Sequence, residues 1–271
     1  MNRSLLLAAG LAAAGALGLT GYLSAYPGGT PSSVTNAAPY CARCHSSTSA
    51  EQLREMPAAA QASQTPEKKH YPGILKGEES YGKLSEADRG KLVDAIKAVD
   101  KNSTVTLTLS STTVKPGAAM TCTVKTHGGG GPVVGVMLTD NDYRNQSGPI
   151  QAEGFVITKA PEVTGMDGKA QTKWTDARAA GLPKGINYVN IYDVHSDPVA
   201  GTYADCKVEY SLKAPTAPGE YTVSAAFLYG TEKSTPLGTV QTPDGRKFPL
   251  GGGGAESGRI QFAKMVTITV K

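Results

Sequence analysis

The sequence predicts an α+β chain with segregated domains, a small mainly α domain followed by an all-β sandwich. Three observations lead there. Apolar residues recur at helical spacing in one clear place, "LSEADRGKLVDAIKAVDKN", before residue 104. From Thr104 onward they alternate with polar residues, as in "TVTLTLS". Gly and Pro make up 49 of the 271 residues, a composition of many turns and short strands.

The N-terminal stretch "MNRSLLLAAGLAAAGALGLTGYLSA" carries one positive charge, no acid and a run of Leu, Ala and Gly. It reads as a secretory signal with small residues near its end. "ALG" and "LSA" are both imperfect cleavage sites, and the run is about long enough to act as an uncleaved anchor. The expected organisation is residues 1–25 as leader or anchor, 26–103 as the helical domain and 104–271 as the sandwich. The chain is expected to be exported, to the periplasm, the cell surface or beyond. A membrane contact is expected only if the leader is retained. The net charge of +4 gives no reason to expect a nucleic-acid partner.

The stretch "APYCARCHSS" holds the most specific motif. Four cysteines exist: Cys41, Cys44, Cys122 and Cys206. A structural zinc site usually draws on two close pairs, and here the second pair is split by 84 residues. A thioredoxin-type C-x-x-C follows a strand, whereas the residues before Cys41 are Pro, Gly, Ser, Thr and Ala. C-x-x-C-H is the attachment pattern of a c-type haem: two thiols bond the vinyl carbons and the adjacent imidazole reaches the iron. Export agrees with this reading.

In the helix that follows, Ser85 stands as N-cap with Asp88 three residues on. Leu92, Val93, Ile96 and Val99 form one stripe, and Gly90 weakens the helix by about 1 kcal/mol relative to Ala. A shorter helix is expected over 49–56, ending before Pro57, with mostly loop between the two. A domain of this size has a marginal core. With its C-x-x-C-H near the start and a capped amphipathic helix at the end, the region resembles a small single-haem c-type cytochrome over about 75 residues. The resemblance implies one covalent haem c, thioethers at Cys41 and Cys44, and His45 as proximal ligand. For the sixth iron ligand, His70 in "KKHYPG" is the first choice and Met56 the second. A ligand from the sandwich or an open position remains the alternative.

In the second region "AMTCTVKT", "GPVVGVMLTD", "NYVNIYDV", "DCKVEYSL", "EYTVSAAFLYG" and "MVTITVK" read as strands, separated by turns such as "KPGA" and "APGE". "VKPGAAMTCTV" and "APGEYTVSAAFLYG" resemble strand openings of immunoglobulin-like and fibronectin-like domains. The excess length over such domains falls in 140–186 and 230–262. Cys122 and Cys206 each sit at an inward position, and in an oxidising compartment they are expected to form a disulfide. Asp140, Asp142 and Asn145 in "TDNDYRNQSG" fail the EF-hand spacing and read as Asx turns. His127 and His195 are reserve iron ligands if the domains dock. No G-x-S-x-G, paired-carboxylate or H-E-x-x-H constellation is present, so no hydrolase is expected.

The leading functional expectation is therefore an exported electron carrier, not an enzyme, with a redox partner protein of unknown identity. The alternatives are a surface-binding or scaffold sandwich with an auxiliary haem, and a haem enzyme or gas sensor with an open iron position.

Overall fold

The computed structural model describes residues 29–30, 41–42, 45–47, 51–178, 180–183, 185–241, 244–252 and 257–271. The leader expected at 1–25 and the thiol of Cys44 lie outside them.

Fourteen strands are described, and twelve of them build two sheets. The first sheet runs β1 (Thr104–Leu109), β3 (Ala119–His127), β9 (Asp205–Lys213), β6 (Glu162–Thr164) and β7 (Ala170–Gln171), with β5 (Val156–Ile157) also on β9. The second runs β2 (Thr113–Val114), β14 (Val266–Val270), β10 (Gly219–Gly230), β4 (Gly130–Thr139) and β8 (Tyr188–Tyr192), with β13 (Gly258–Phe262) also on β10. β11 (Pro236–Gln241) and β12 (Lys247–Gly251) form a separate hairpin.

The two sheets differ in what covers them. β3 and β9 alternate buried and accessible residues, the mark of a sheet with one face in water. β4, β13 and the second half of β10 are buried almost without break, so the second sheet is covered on both faces. The helical segment comprises α1 (Ala58–Gln64), α2 (Pro66–Lys69), α3 (Tyr71–Lys76) and α4 (Glu86–Lys101); α3 and α4 supply the outer cover, while α1 buries no residue. Tyr229 and Arg259 are cross-strand partners on β10 and β13, and both reach Asp100 at the end of α4. Their neighbours Leu228 and Ile260 point the other way by the period of two, toward the first sheet.

This corrects the expectation of segregated domains. Ile74, Leu92, Ile96 and Val99 belong to one continuous buried cluster with the strands. The helices are a third layer, and they lack an independent core because their apolar stripes face the sheet. α4 keeps its expected start: Ser85 Oγ accepts the Asp88 amide at 3.1 Å. The helix expected over 49–56 is reduced to a 3-10 turn at Glu51–Leu53 among the described residues. The expected loop beyond it folds instead as α1 to α3. Pro66 opens α2 at a position where its missing N–H is harmless. Gly77, at φ +73°, closes α3 in the left-handed conformation.

The disulfide is also corrected. In the β3–β9 register Cys122 lies opposite Tyr210, and Cys206 lies opposite Thr126. The two thiols are thus offset by four residues, roughly 13 Å along the strands, whereas a disulfide needs Cα atoms within about 7 Å. Both are free. Burial pushes Cys122 up to about 12 and Cys206 up to about 11, so both remain protonated packing groups at neutral pH.

Two outcomes are expected. Ile96→Ala should destabilise by about 2–5 kcal/mol and lower the single thermal transition of the whole chain; an unchanged sandwich transition beside a separately weakened helical one would contradict the shared core. Thiol titration of the denatured Cys41→Ser/Cys44→Ser chain without reductant should find both Cys122 and Cys206 reactive.

Candidate functional site

The C-x-x-C-H turn is attached to the sandwich from two sides. The His45 amide donates to the Cys41 carbonyl at 2.9 Å, closing one helical turn. Ser46 then bridges Arg259 in parallel, so the motif runs on as a short edge beside β13. From the other side comes Arg144, in the loop after β4. That loop is closed on itself: Asp140 Oδ1 accepts the Gly148 amide at 2.7 Å, and Asn141 Oδ1 accepts the Tyr143 amide at 2.9 Å. Arg144 is 1% exposed. Its guanidinium donates to the carbonyls of Ala42 and His45 and to Ser47 Oγ. A guanidinium in a fixed fork suits converging carbonyls. Asp142 pairs with Arg54 and accepts the Met265 amide.

His45 lines a cleft of about 380 Å³ together with Ser46, Lys69, His70, Tyr81 and Arg259. One ring nitrogen of His45 bonds the Gly258 backbone. Glycine is required there, because a Cβ at 258 would lie 2.5 Å from the Tyr229 carbonyl oxygen. Burial holds the His45 imidazole below its usual range, with Arg259, Lys69 and Arg144 adding to the effect. It is therefore neutral at pH 7, the form in which imidazole binds a metal.

In the same cleft His70 follows α2 as its C-cap and is fixed by both ring nitrogens. Nδ1 lies 2.9 Å from an Arg259 nitrogen, and Nε2 lies 3.1 Å from Glu232 Oε1. Tyr81 donates to the same Glu232 oxygen, and Lys233 pairs with Glu79 at 2.9 Å. Burial opposes ionisation of Glu232, but the hydrogen bond and charge of His70 and the hydrogen bond from Tyr81 outweigh it, so the carboxyl is held at about 2. Arg259 continues the chain through Nε to Asp100 at 3.1 Å, where Tyr71 and Tyr229 also donate.

The structure thus brings His45 and His70 to one cleft. Cys41 is half-buried against the core. Met56 is not among the lining residues. His127 pairs with Asp205 at 2.7 Å on an exposed strand end, and His195 is exposed. Arg144, Glu232 and Arg259 were not singled out from the sequence, because isolated charged residues in "DYRNQ", "GTEKS" and "SGRIQ" look like solvated turns. Among the described residues no group of three or more His, Cys, Asp or Glu is placed to hold a metal ion by protein ligands alone.

No family model and no curated protein matches the chain. Among solved structures it is similar to BslA, a bacterial hydrophobin, at 11% identity and TM-score 0.31, over 63% of this chain and 95% of that one. It is similar to the N-terminal domain of a Streptococcus gordonii adhesin at 8% and 0.33, over 64% of this chain and 33% of that one. A collagen-binding domain from a Staphylococcus aureus adhesin matches at 10% and 0.26, over 59% and 96%. Likenesses this distant carry no functional argument.

The resemblance to a small c-type cytochrome fused to an immunoglobulin-like or fibronectin-like domain is corrected here. The helices form a layer on the sandwich instead of a body of their own. Two six-stranded sheets, one with a parallel β2–β14 pair at its edge, replace the seven-stranded plan. The reading as a free-standing electron carrier falls with that resemblance.

Two substitutions probe the site. Arg144→Met strands the Ala42 and His45 carbonyls, each lost partner costing about 1–3 kcal/mol; hydrogen exchange should rise at the His45 amide more than in β3. Glu232→Gln tests the buried carboxylate, which is faced by His70, Tyr81, Thr231 and Arg259. Its folded pKa of about 2 lies below the reference 4.5, so its contribution is present above about 4.5 and is lost as pH falls toward 2. The gap in thermal midpoint between wild type and Glu232→Gln should therefore be full at pH 6 and shrink below pH 4.

Proposed function

We propose that the chain is an exported, surface-binding β-sandwich scaffold that carries one haem c as an auxiliary group. The observation that carries this reading is the fixing of the C-x-x-C-H turn onto the sandwich by Arg144 and β13, which makes the sandwich the body and the motif its appendage. Two further features support it. The outer face of the first sheet exposes Thr104, Thr106, Thr108, Thr121 and Lys125, a polar surface open to a partner. The cleft offers the imidazole of His45, which lies against the Gly258 backbone, while both ring nitrogens of His70 are held by Arg259 and Glu232. A bond from one ring nitrogen to the backbone directs the other ring nitrogen toward a ligand.

In this reading Cys41 and Cys44 hold the haem by thioethers and His45 faces the iron. The group supplies one-electron chemistry when bound. The protein's part is to hold the imidazole neutral, fix its direction and keep the turn closed. The similar structures include adhesin and collagen-binding domains; binding at a cell surface is proposed for this chain on its own leader and its bare sheet face.

The test is expression with the leader in a host that attaches haem c. A haem-stained band resistant to denaturation is expected for wild type and lost in Cys41→Ala/Cys44→Ala. The haem-free variant should still fold, within a few degrees of wild type, and should reach the same cell-envelope or medium fraction. A haem-free chain that fails to fold would show the haem to be structural instead of auxiliary. A chain retained in the cytoplasm would overturn the exported scaffold.

A further inference from the structure

We propose that two copies of this chain join edge to edge through β1, pairing antiparallel about a twofold axis at Leu107 to make one continuous sheet. Only the sandwich is involved, and no haem is needed.

An edge strand carries a row of unpaired N–H and C=O groups, and folded proteins ordinarily guard it with shortness, charge, Pro, a bulge or a cover. Most edges of the two sheets are guarded in this way. β2, β5 and β7 are two residues long. β13 is met by Ser46 of the C-x-x-C-H turn, in parallel at Arg259. β8 is covered by side chains that imitate a further strand. The Tyr192 amide donates to Gln171 Oε1 at 3.1 Å, and the Tyr192 carbonyl accepts Gln171 Nε2 at 3.0 Å. The Tyr188 carbonyl accepts Trp174 Nε1 at 2.8 Å.

β1 has none of these devices. "TVTLTL" is six residues with no charge, Pro or Gly, and its register with β3 runs without a bulge from Thr104 opposite His127 to Leu109 opposite Cys122. The Ser110 amide donates to the Thr121 carbonyl at 3.0 Å. That phase gives Thr104, Thr106 and Thr108 the backbone bonds to β3 and turns the N–H and C=O of Val105, Leu107 and Leu109 outward. Among the described residues nothing pairs with these outward groups. The side chains of the same three residues pack against the core yet stay half-buried. The edge is open in its backbone and incomplete in its apolar cover.

A second copy of β1 fits this edge because the strand is complementary to itself. Turned antiparallel about Leu107, it sets Leu107 against its own counterpart, Val105 against Leu109 and Thr106 against Thr108. The outward backbone groups then meet in pairs that exchange both hydrogen bonds. Apolar side chains meet on the inner face and threonines on the outer, both favourable cross-strand pairings. No charge of β1 is brought against its like. The same patch is used on both copies, so the contact closes as a dimer. It also joins the exposed threonines of the two first sheets into one polar face.

The experiment measures the mass of the full exported chain in solution by sedimentation, as wild type and as two charged variants. Thr106→Lys/Thr108→Lys puts like charges opposite each other across the twofold axis, and Thr106→Glu/Thr108→Glu does so with the other sign. Both positions are exposed, so each variant should keep the wild-type circular dichroism. Wild type should sediment at twice the mass of one chain, each variant alone at the mass of one chain, and an equimolar mixture of the two variants at twice that mass again. The amides of Val105, Leu107 and Leu109 should exchange hydrogen more slowly in concentrated than in dilute wild type, while those of Thr106 and Thr108 stay unchanged. A monomeric wild type, even one in which an added extended peptide slows the same amides, overturns the second copy as occupant. A dimer that survives in both variants uses another surface and overturns it as well.

Discussion

Arg259 is the side chain through which the helical layer is joined to the second sheet. It sits on β13, almost wholly buried, and reaches Asp100 from the long helix and His70 from the short ones. Burial alone would lower its pKa; the neighbouring Asp100 reverses the direction. A buried guanidinium is tolerable only where each donor finds an acceptor in the right place. That requirement fixes the helix ends against the sheet far more tightly than apolar contact, which is non-directional, could do. The second carboxylate, Glu232, extends the chain of contacts to Tyr81 and to the connection after β10. The cleft exists because this polar seam holds helix and sheet together along one side of the C-x-x-C-H turn.

A second buried guanidinium, Arg144, plays the matching part beneath the turn. It meets carbonyl oxygens and a hydroxyl, with no carboxylate partner for its hydrogen bonds among the described residues. Burial holds its pKa below the usual range. The two arginines therefore differ in kind. Arg259 is matched by opposite charge and joins layers, while Arg144 gathers backbone dipoles and shapes a single turn. Together they place a neutral imidazole from a sequence rich in small residues, which by itself has little preference for any one conformation.

Much of the local structure was legible beforehand. The cap at Ser85 and the stripe ending at Val99 depend on neighbours within one helix, so the residues themselves are enough. The alternation in β1, β3 and β9 was readable because one face of that sheet meets water. The short helices between Pro57 and Gly77 were missed, since stretches of four to seven residues rarely hold a helix on their own. Pro66 at a first helical position and Gly77 just past a last one were the signals present.

What the sequence by itself determined was the motif at Cys41, Cys44 and His45, the capped helix, and the strand-rich second half, because each follows from spacing along the chain. Only the tertiary structure decided that the helices cover a sheet and form no domain of their own. It alone decided that Cys122 and Cys206 stand four residues out of register, and that His70 lines the same cleft as His45 while bound to Arg259 and Glu232. The physical reason is common to all three. Strand register and the pairing of buried charges are set by residues 80 to 190 positions apart, and no local pattern in the chain encodes which distant partner will meet them.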